Sequence, residues 1–298
     1  MSQDRSFGPQ EILQALADAR ARVEQERRER FALFGIEATC LWPCSRLFHE
    51  QSSLGPQWQA ALSVEQVEQH TWNLAYRRYD GSPRVALPHP PALATSLEWA
   101  IRSRHSTSSF SAQPVTLVEL AKLLEIGAGL TRSDTIPRRA APSGGALYPV
   151  ETYVLAFAVE ELEGALYHYL PLQHTLERLR PLAGIEALQP VLPPGLIAAR
   201  PALVIALTVV FERTQAKYLE RGYRFALLEA GHLAQNFLLI AAALGLGGLP
   251  VGGYWDEPFN ALLGLEPTQE AVLYAVLLGQ ADSAEQQVAA VEDSRISR

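Results

Sequence analysis

The chain has 298 residues and a formal net charge of -7, enough for one large domain or for one domain with a smaller module. Hydrophobic and charged contents of 48% and 19% are those of a globular protein with a full core. The acidic balance comes with no Lys/Arg cluster interleaved with aromatics, which argues against a nucleic-acid partner.

Met1 to Pro9 are polar with no apolar run behind them, so no signal peptide is expected. The most apolar helix-like stretch, Phe237 to Leu249, is too short and too glycine-rich to cross a bilayer. The expected compartment is the cytoplasm, with no membrane partner. Cys40 and Cys44 are the only cysteines. Their spacing fits neither a redox Cys-x-x-Cys nor half of a common zinc site, so two reduced thiols and no metal are expected.

Residues 10–33 read as an amphipathic, heavily charged helix, with Ile12, Leu16, Ala19 and Val23 at helical spacing. Residues 34–95 read as irregular, and Pro83, Pro88, Pro90 and Pro91 as a linker. From about residue 97 the pattern becomes α+β. Helices are predicted at Ser96 to Ser103 and Leu117 to Ile126, the second entered through Val115-Thr116 and stopped at Gly127. Strands are predicted at Tyr153 to Val159 and Gly164 to Leu170. The β-branched run Leu203 to Phe211 predicts a strand buried on both faces. Arg224 to Leu244 is apolar nearly all round and predicts a buried central helix, ended by Gly245, Gly247 and Gly248. Val272 to Leu278 predicts a last buried strand. The fold class is α+β around one core, with residues 1–95 as an N-terminal helical and irregular module and 96–298 as the main domain.

Four segments can carry chemistry. Arg104-His105-Ser106-Thr107 puts a guanidinium fork beside two hydroxyls, a set that suits a phosphate but also an ordinary polar helix end. Pro142-Ser143-Gly144-Gly145-Ala146-Leu147-Tyr148-Pro149 lets backbone approach a flat ligand, or is simply a tight loop. It is not a Walker loop, because no Gly-Lys-Ser/Thr follows. Lys217-Tyr218 follows the buried strand, and an ammonium beside a phenol can serve as proton donor and acceptor. The plain alternative is a surface lysine next to a packed tyrosine. Pro250-Val251-Gly252-Gly253-Tyr254 can offer a backbone N–H to a ring nitrogen, or is a bend.

In this order the four segments resemble the nitroreductase-fold flavoproteins, specifically the SagB-type dehydrogenases, which include the thiazoline and oxazoline dehydrogenases of ribosomal peptide natural products. Gly164-Ala165-Leu166-Tyr167-His168-Tyr169, Arg221-Gly222-Tyr223-Arg224 and Glu229-Ala230-Gly231-His232 are similar to subgroup signatures, and Leu47-Phe48-His49-Glu50 resembles the subgroup's leader. The resemblance covers most of the chain. It implies a mixed sheet flanked by helices, a long buried central helix and an N-terminal helical extension. It also implies FMN, held at its phosphate end by Arg104, His105 and Ser106 and across its ring by Pro142, Ser143, Gly144 and Ala146. In that fold the loop reaches the flavin of the partner subunit, so a homodimer is implied. Gly252 and Gly253 fall where the family supplies an N–H to the flavin. Arg295 loosely matches the basic residue that completes the phosphate site, and Ser108 stands where many relatives have a basic residue.

The same resemblance makes Lys217 and Tyr218 the catalytic pair of an FMN-dependent azoline dehydrogenase. Its implied partners are a peptide substrate and a cyclodehydratase complex. Two alternatives stay open. One is another FMN oxidoreductase, either a nitro or quinone reductase fed by NAD(P)H or a dehydrogenase of a carrier-bound or small metabolite. The other is a flavin-binding scaffold without turnover.

Overall fold

The computed structural model describes residues 43–54, 77–132 and 138–282. The expected helix over 10–33 and Arg295 lie outside these residues. Contacts divide the chain into Met1–Ser53 and Leu54–Arg298. The first unit contributes helix α1 (Pro43–Gln51), which contains Leu47 to Glu50 and replaces the irregular chain expected there.

In the second unit the elements run β1 (Arg84–Ala86), α2 (Leu97–Ser103), α3 (Leu117–Gly127), β2 (Leu130–Arg132), β3 (Arg138–Arg139) and β4 (Val150–Ala156). They continue with β5 (Ala165–Leu170), β6 (Thr175–Pro181), α4 (Pro194–Ala198), β7 (Leu203–Val210), α5 (Phe211–Tyr218) and α6 (Arg221–Ala243). The last three are β8 (Gly247–Val251), α7 (Asp256–Leu263) and β9 (Glu270–Gly279). Seven strands form one sheet in the order β1-β6-β5-β4-β7-β9-β8. Every neighbouring pair is antiparallel. Among the described residues, parallel pairing occurs only in two isolated bridges, Ser106 with Gly248 and Val115 with Val159.

β7 and β4 take the middle of the sheet because their apolar runs bury both faces. On one face α3 and α6 pack Leu120, Leu124, Leu233 and Phe237 against Val154 and Ile205. On the other, Tyr153, Leu155 and Val204 meet Leu192, Phe259 and Leu263. Thr116 and Glu119 close a capping box at the start of α3, as Val115-Thr116 led one to expect.

Four expectations are corrected. The proline-rich linker contributes β1, whose Val85 pairs with Leu176, so this stretch belongs to the sheet. The strand expected from Tyr153 to Val159 begins earlier, at Val150, because its pairing with β7 runs from Val150 to Ala156. Gly247 and Gly248 do not end the central helix. Gly245 alone turns the chain with a φ of 77°, and the other two start β8. The central helix is long and apolar enough by composition to cross a membrane, yet half of that stretch is buried in the fold, which marks a core helix. It is also not buried all round: Leu227 and Leu228 are 44% and 60% exposed.

Gly127 marks where α3 touches α6. A Cβ there would meet Cε1 of the fully buried Phe237 at 2.5 Å. Gly127→Ala should therefore destabilise by about 1–3 kcal/mol through overpacking, although alanine is the better helix former by about 1 kcal/mol. A urea midpoint that rises would contradict this. Phe237→Leu in the same background should restore part of the loss.

Candidate active site

The loop between β3 and β4 is the most unusual backbone in the fold. Gly145, Ala146 and Tyr148 have φ of 67°, 55° and 46°, a region that non-glycine residues enter only when the surroundings fix them. Tyr148 is fixed from three sides. Its N–H donates to Ser143 Oγ (2.9 Å), its hydroxyl oxygen accepts from the Arg139 N–H (3.1 Å), and its carbonyl accepts from Arg213 Nη1 (3.2 Å). The Arg139 guanidinium lies 5.1 Å from its ring centroid.

Lys217 and Tyr218 do not sit on a plain connector. They form the last turn of α5, a helix the sequence reading missed. Leu219, at φ 50°, bends the chain out of that helix. Gly222 lets α6 start against the α5 backbone, since a Cβ there would meet the Thr214 carbonyl carbon at 2.9 Å. Phe211 and Tyr223 stack at 5.8 Å across the same corner. This corner carries the pair to the loop. A Cβ on Gly145 would lie 2.7 Å from the Tyr218 hydroxyl and 3.1 Å from Lys217 Nζ. The ammonium is 5.4 Å from the Tyr218 ring centroid, and Phe225 meets that ring edge-on at 4.9 Å and lies against Gly144. Two segments far apart in the sequence thus form one surface.

The other two segments meet through β8. Thr107 N–H donates to the Gly248 carbonyl (3.1 Å), and a Cβ on Gly247 would strike the Thr107 side chain at 2.7 Å. Thr107 is fully buried and its Oγ1 has no partner. Arg104 and His105 are half-buried and Ser106 is exposed, all directly after α2. Gly252 and Gly253 directly follow β8, and both are exposed. Neither has a positive φ, and a Cβ on Gly253 would meet nothing within 4 Å, so the fold itself does not require glycine there.

Behind the loop lie charged groups, among them Arg213 and Arg77, that sequence reasoning did not single out. Glu151 Oε1 pairs with Arg213 Nη2 at 2.6 Å and accepts from the Arg77 N–H at 3.1 Å, while Oε2 meets His168 Nε2 at 3.0 Å. Burial would raise the Glu151 carboxyl, but Arg213, His168 and Arg139 together hold it far below the usual carboxylate range. Two signals were available. Arg213 precedes Lys217 by four residues, hence on one helix face. Of the 25 basic residues only Lys122 and Lys217 are lysines.

One cluster among the described residues could hold a metal ion: His89, Glu125 and His174 have donor atoms within 4.8 Å of one another. Its members are already engaged. His174 Nε2–H donates to the Pro88 carbonyl and its Nδ1 accepts from Tyr169, while the Lys122 ammonium pairs with Glu125. A cation already occupies the carboxylate.

The sequence profile of the nitroreductase family matches residues 101–280. MJ1384 of Methanocaldococcus jannaschii, described as a nitroreductase, is 36% identical over 168 residues, 56% of this chain and 83% of that protein. The microcin B17-processing protein McbC of Escherichia coli is 34% identical over 155 residues, which is 48% of this chain and 54% of McbC. A solved structure of the E. coli microcin synthetase McbBCD complex with truncated pro-MccB17 bound superposes with a TM-score of 0.56 at 23% identity, covering 80% of this chain and 92% of that one. This last likeness is one of fold.

Glu229 of α6 is 2% exposed and faces the foot of the loop. Burial pushes its carboxyl up to about 7, against the opposing pull of Ser143, Arg139, the Val150 N–H and Arg213. Neither oxygen closes a hydrogen bond of good geometry. A raised folded value means that ionising Glu229 costs the native state. The cost is absent below the ordinary value of 4.5, grows as pH rises, and is complete above about 7. Glu229→Gln should therefore match the parent in stability near pH 4.5 and exceed it by up to about 3 kcal/mol at pH 8. Chemical denaturation across that range measures the difference. A variant that is less stable at pH 8 would contradict the assignment.

Proposed function

The chain belongs to the nitroreductase family, and we propose that it is an FMN-dependent dehydrogenase that oxidises azoline rings in a peptide to azoles. The observation that carries this reading is the seating of Lys217 and Tyr218 against the glycine loop. The subgroup that the sequence resembles supplies its chemistry, and the similarity to a peptide-processing protein supports its substrate class.

The residues present fit FMN. Arg104 and Ser106 can take a phosphate by charge-assisted and neutral hydrogen bonds. Ser106 bridges Gly248, and Gly252 follows four residues later along an extended strand, roughly 13 Å away. That separation suits a phosphate at one end and a flat ring at the other. Gly253 keeps open the space a side chain would fill. FMN, when bound, supplies the hydride acceptor.

The chain manages the proton. In an azoline the C–H beside the ring nitrogen gives its proton to Lys217 or Tyr218, acting in its deprotonated form, as hydride leaves the neighbouring carbon, and the new double bond completes the aromatic ring. The left-handed loop holds the two groups at fixed positions, so little reorganisation is needed. Leu97, Trp99 and Ile101 of α2 and Leu227 and Leu228 of α6 are exposed apolar side chains on two packed helices, which supports a homodimer.

Lys217→Ala and Tyr218→Phe should each keep bound flavin and lower turnover by about 10²–10⁴. Arg104→Ala should instead weaken FMN retention by about 1.5–3 kcal/mol. The two-hydrogen mass loss of an azoline peptide, followed at equal flavin loading, reads the first effect, and flavin release reads the second. Equal rates in parent and both variants, or NAD(P)H consumption with an unchanged peptide, would favour the nicotinamide-fed reductase.

A further inference from the structure

Lys217 and Tyr218 stand on a helix of eight residues. A helix that short holds its place through tertiary contacts more than through its own hydrogen bonds. Two of its side chains, Arg213 and Thr214, are buried, and Arg213 reaches β4 by an ion pair. Its fork spans two acceptors: Nη1 donates to the Tyr148 carbonyl at 3.2 Å, and Nη2 pairs with Glu151 Oε1 at 2.6 Å. One acceptor ends the glycine loop and the other opens β4. Glu151 is itself immobilised, because its remaining contacts go to the Arg77 N–H and to His168, which is held in turn by Glu177 at 3.2 Å.

We propose that the buried Arg213–Glu151 pair is the positioning device of the site. It clamps α5 to the loop and so fixes where Lys217 and Tyr218 stand relative to Gly145. The proposal rests on the catalytic reading of that pair. The physical ground is what an ion pair supplies that an apolar contact of the same size does not. Its net contribution to stability is often nil or negative. Its geometry is demanding, because a guanidinium fork satisfies two acceptors only when both lie in its plane. Arg213 is 2% and Glu151 2% exposed, so nothing in solvent competes for that geometry. Arg213 also lies four residues before Lys217, on the same helix face, and a shift of its fork moves Lys217 directly.

The test uses the flavin-loaded full chain and has a readout that needs no substrate. The chain has two lysines, and Lys122 is 4% exposed with its ammonium on the Pro90 carbonyl and Glu125. Amine-reactive labelling followed by mass spectrometry therefore reports on Lys217, with Lys122 as the internal reference. In the double variant Arg213→Met/Glu151→Gln both charges are removed together, so neither partner is left buried alone. Arg213→Lys keeps the charge and loses the fork, and serves where the double variant does not fold, its added amine being read apart from Lys217 by fragment mapping.

The clamp predicts retained flavin, several-fold faster labelling of Lys217 and a fall in azoline turnover of about 10²-fold in kcat, with KM unchanged. Parental labelling and parental kcat in either folded variant overturn it. Lys217→Ala is the control for the premise. If that change leaves turnover intact, the catalytic reading fails, and the labelling rate alone still decides whether the clamp exists.

Discussion

At Gly145 the backbone turns left-handed with the tips of Tyr218 and Lys217 directly beside its Cα. No other residue fits that place on two counts, conformation and space. The contact joins the loop after β3 to the helix after β7, and the rest of the site is arranged around keeping both ends still. Tyr148 is locked by Ser143, Arg139 and Arg213, and Gly222 admits the start of α6 against α5. Backbone strain of this kind persists only where surroundings over-determine it.

The surroundings are charged groups inside the sheet. Glu177, His168, Glu151 and Glu270 sit on β6, β5, β4 and β9, and all are nearly fully buried. Buried charge is costly unless paired, and each carboxylate has its arginine: Arg84 on Glu177, Arg213 on Glu151 and Arg77 on Glu270. Tyr153 links this row to Tyr79 and Glu270 through its hydroxyl. Burial and the Glu270 charge push that hydroxyl well above its ordinary range, so it stays a hydrogen-bond donor. The row anchors the chain at Arg77 to Arg84 to the sheet, which is why a stretch that reads as linker behaves as part of the domain.

Much of this was legible in the sequence because local signals and the fold agree. The continuous apolar run at Leu203 predicts a buried strand and Thr116 a helix entry, and both took that form. The missed elements carry mixed signals. β6 holds Glu177, Arg178 and Arg180, a charged run that reads as surface, although Glu177 is fully buried against His168. α5 begins straight after β7 with no capping side chain, so nothing marks its start. The loop and the Lys-Tyr pair were found separately by residue type. Their contact is a tertiary fact that no spacing encodes. The importance of Arg213 and Glu229 was hidden for the same reason: a charged residue in a helix is ordinary until its burial is seen.

The central claim is that the site takes a hydride from an azoline and not from a nicotinamide. An anaerobic titration of the flavin-loaded protein with an azoline-containing peptide tests it most directly, because every electron then has to stay on the protein. The account predicts that the visible flavin absorbance is lost in step with peptide dehydrogenation, equivalent for equivalent, with no nicotinamide present. Loss of colour with NAD(P)H alone, while the peptide keeps its mass, would contradict it.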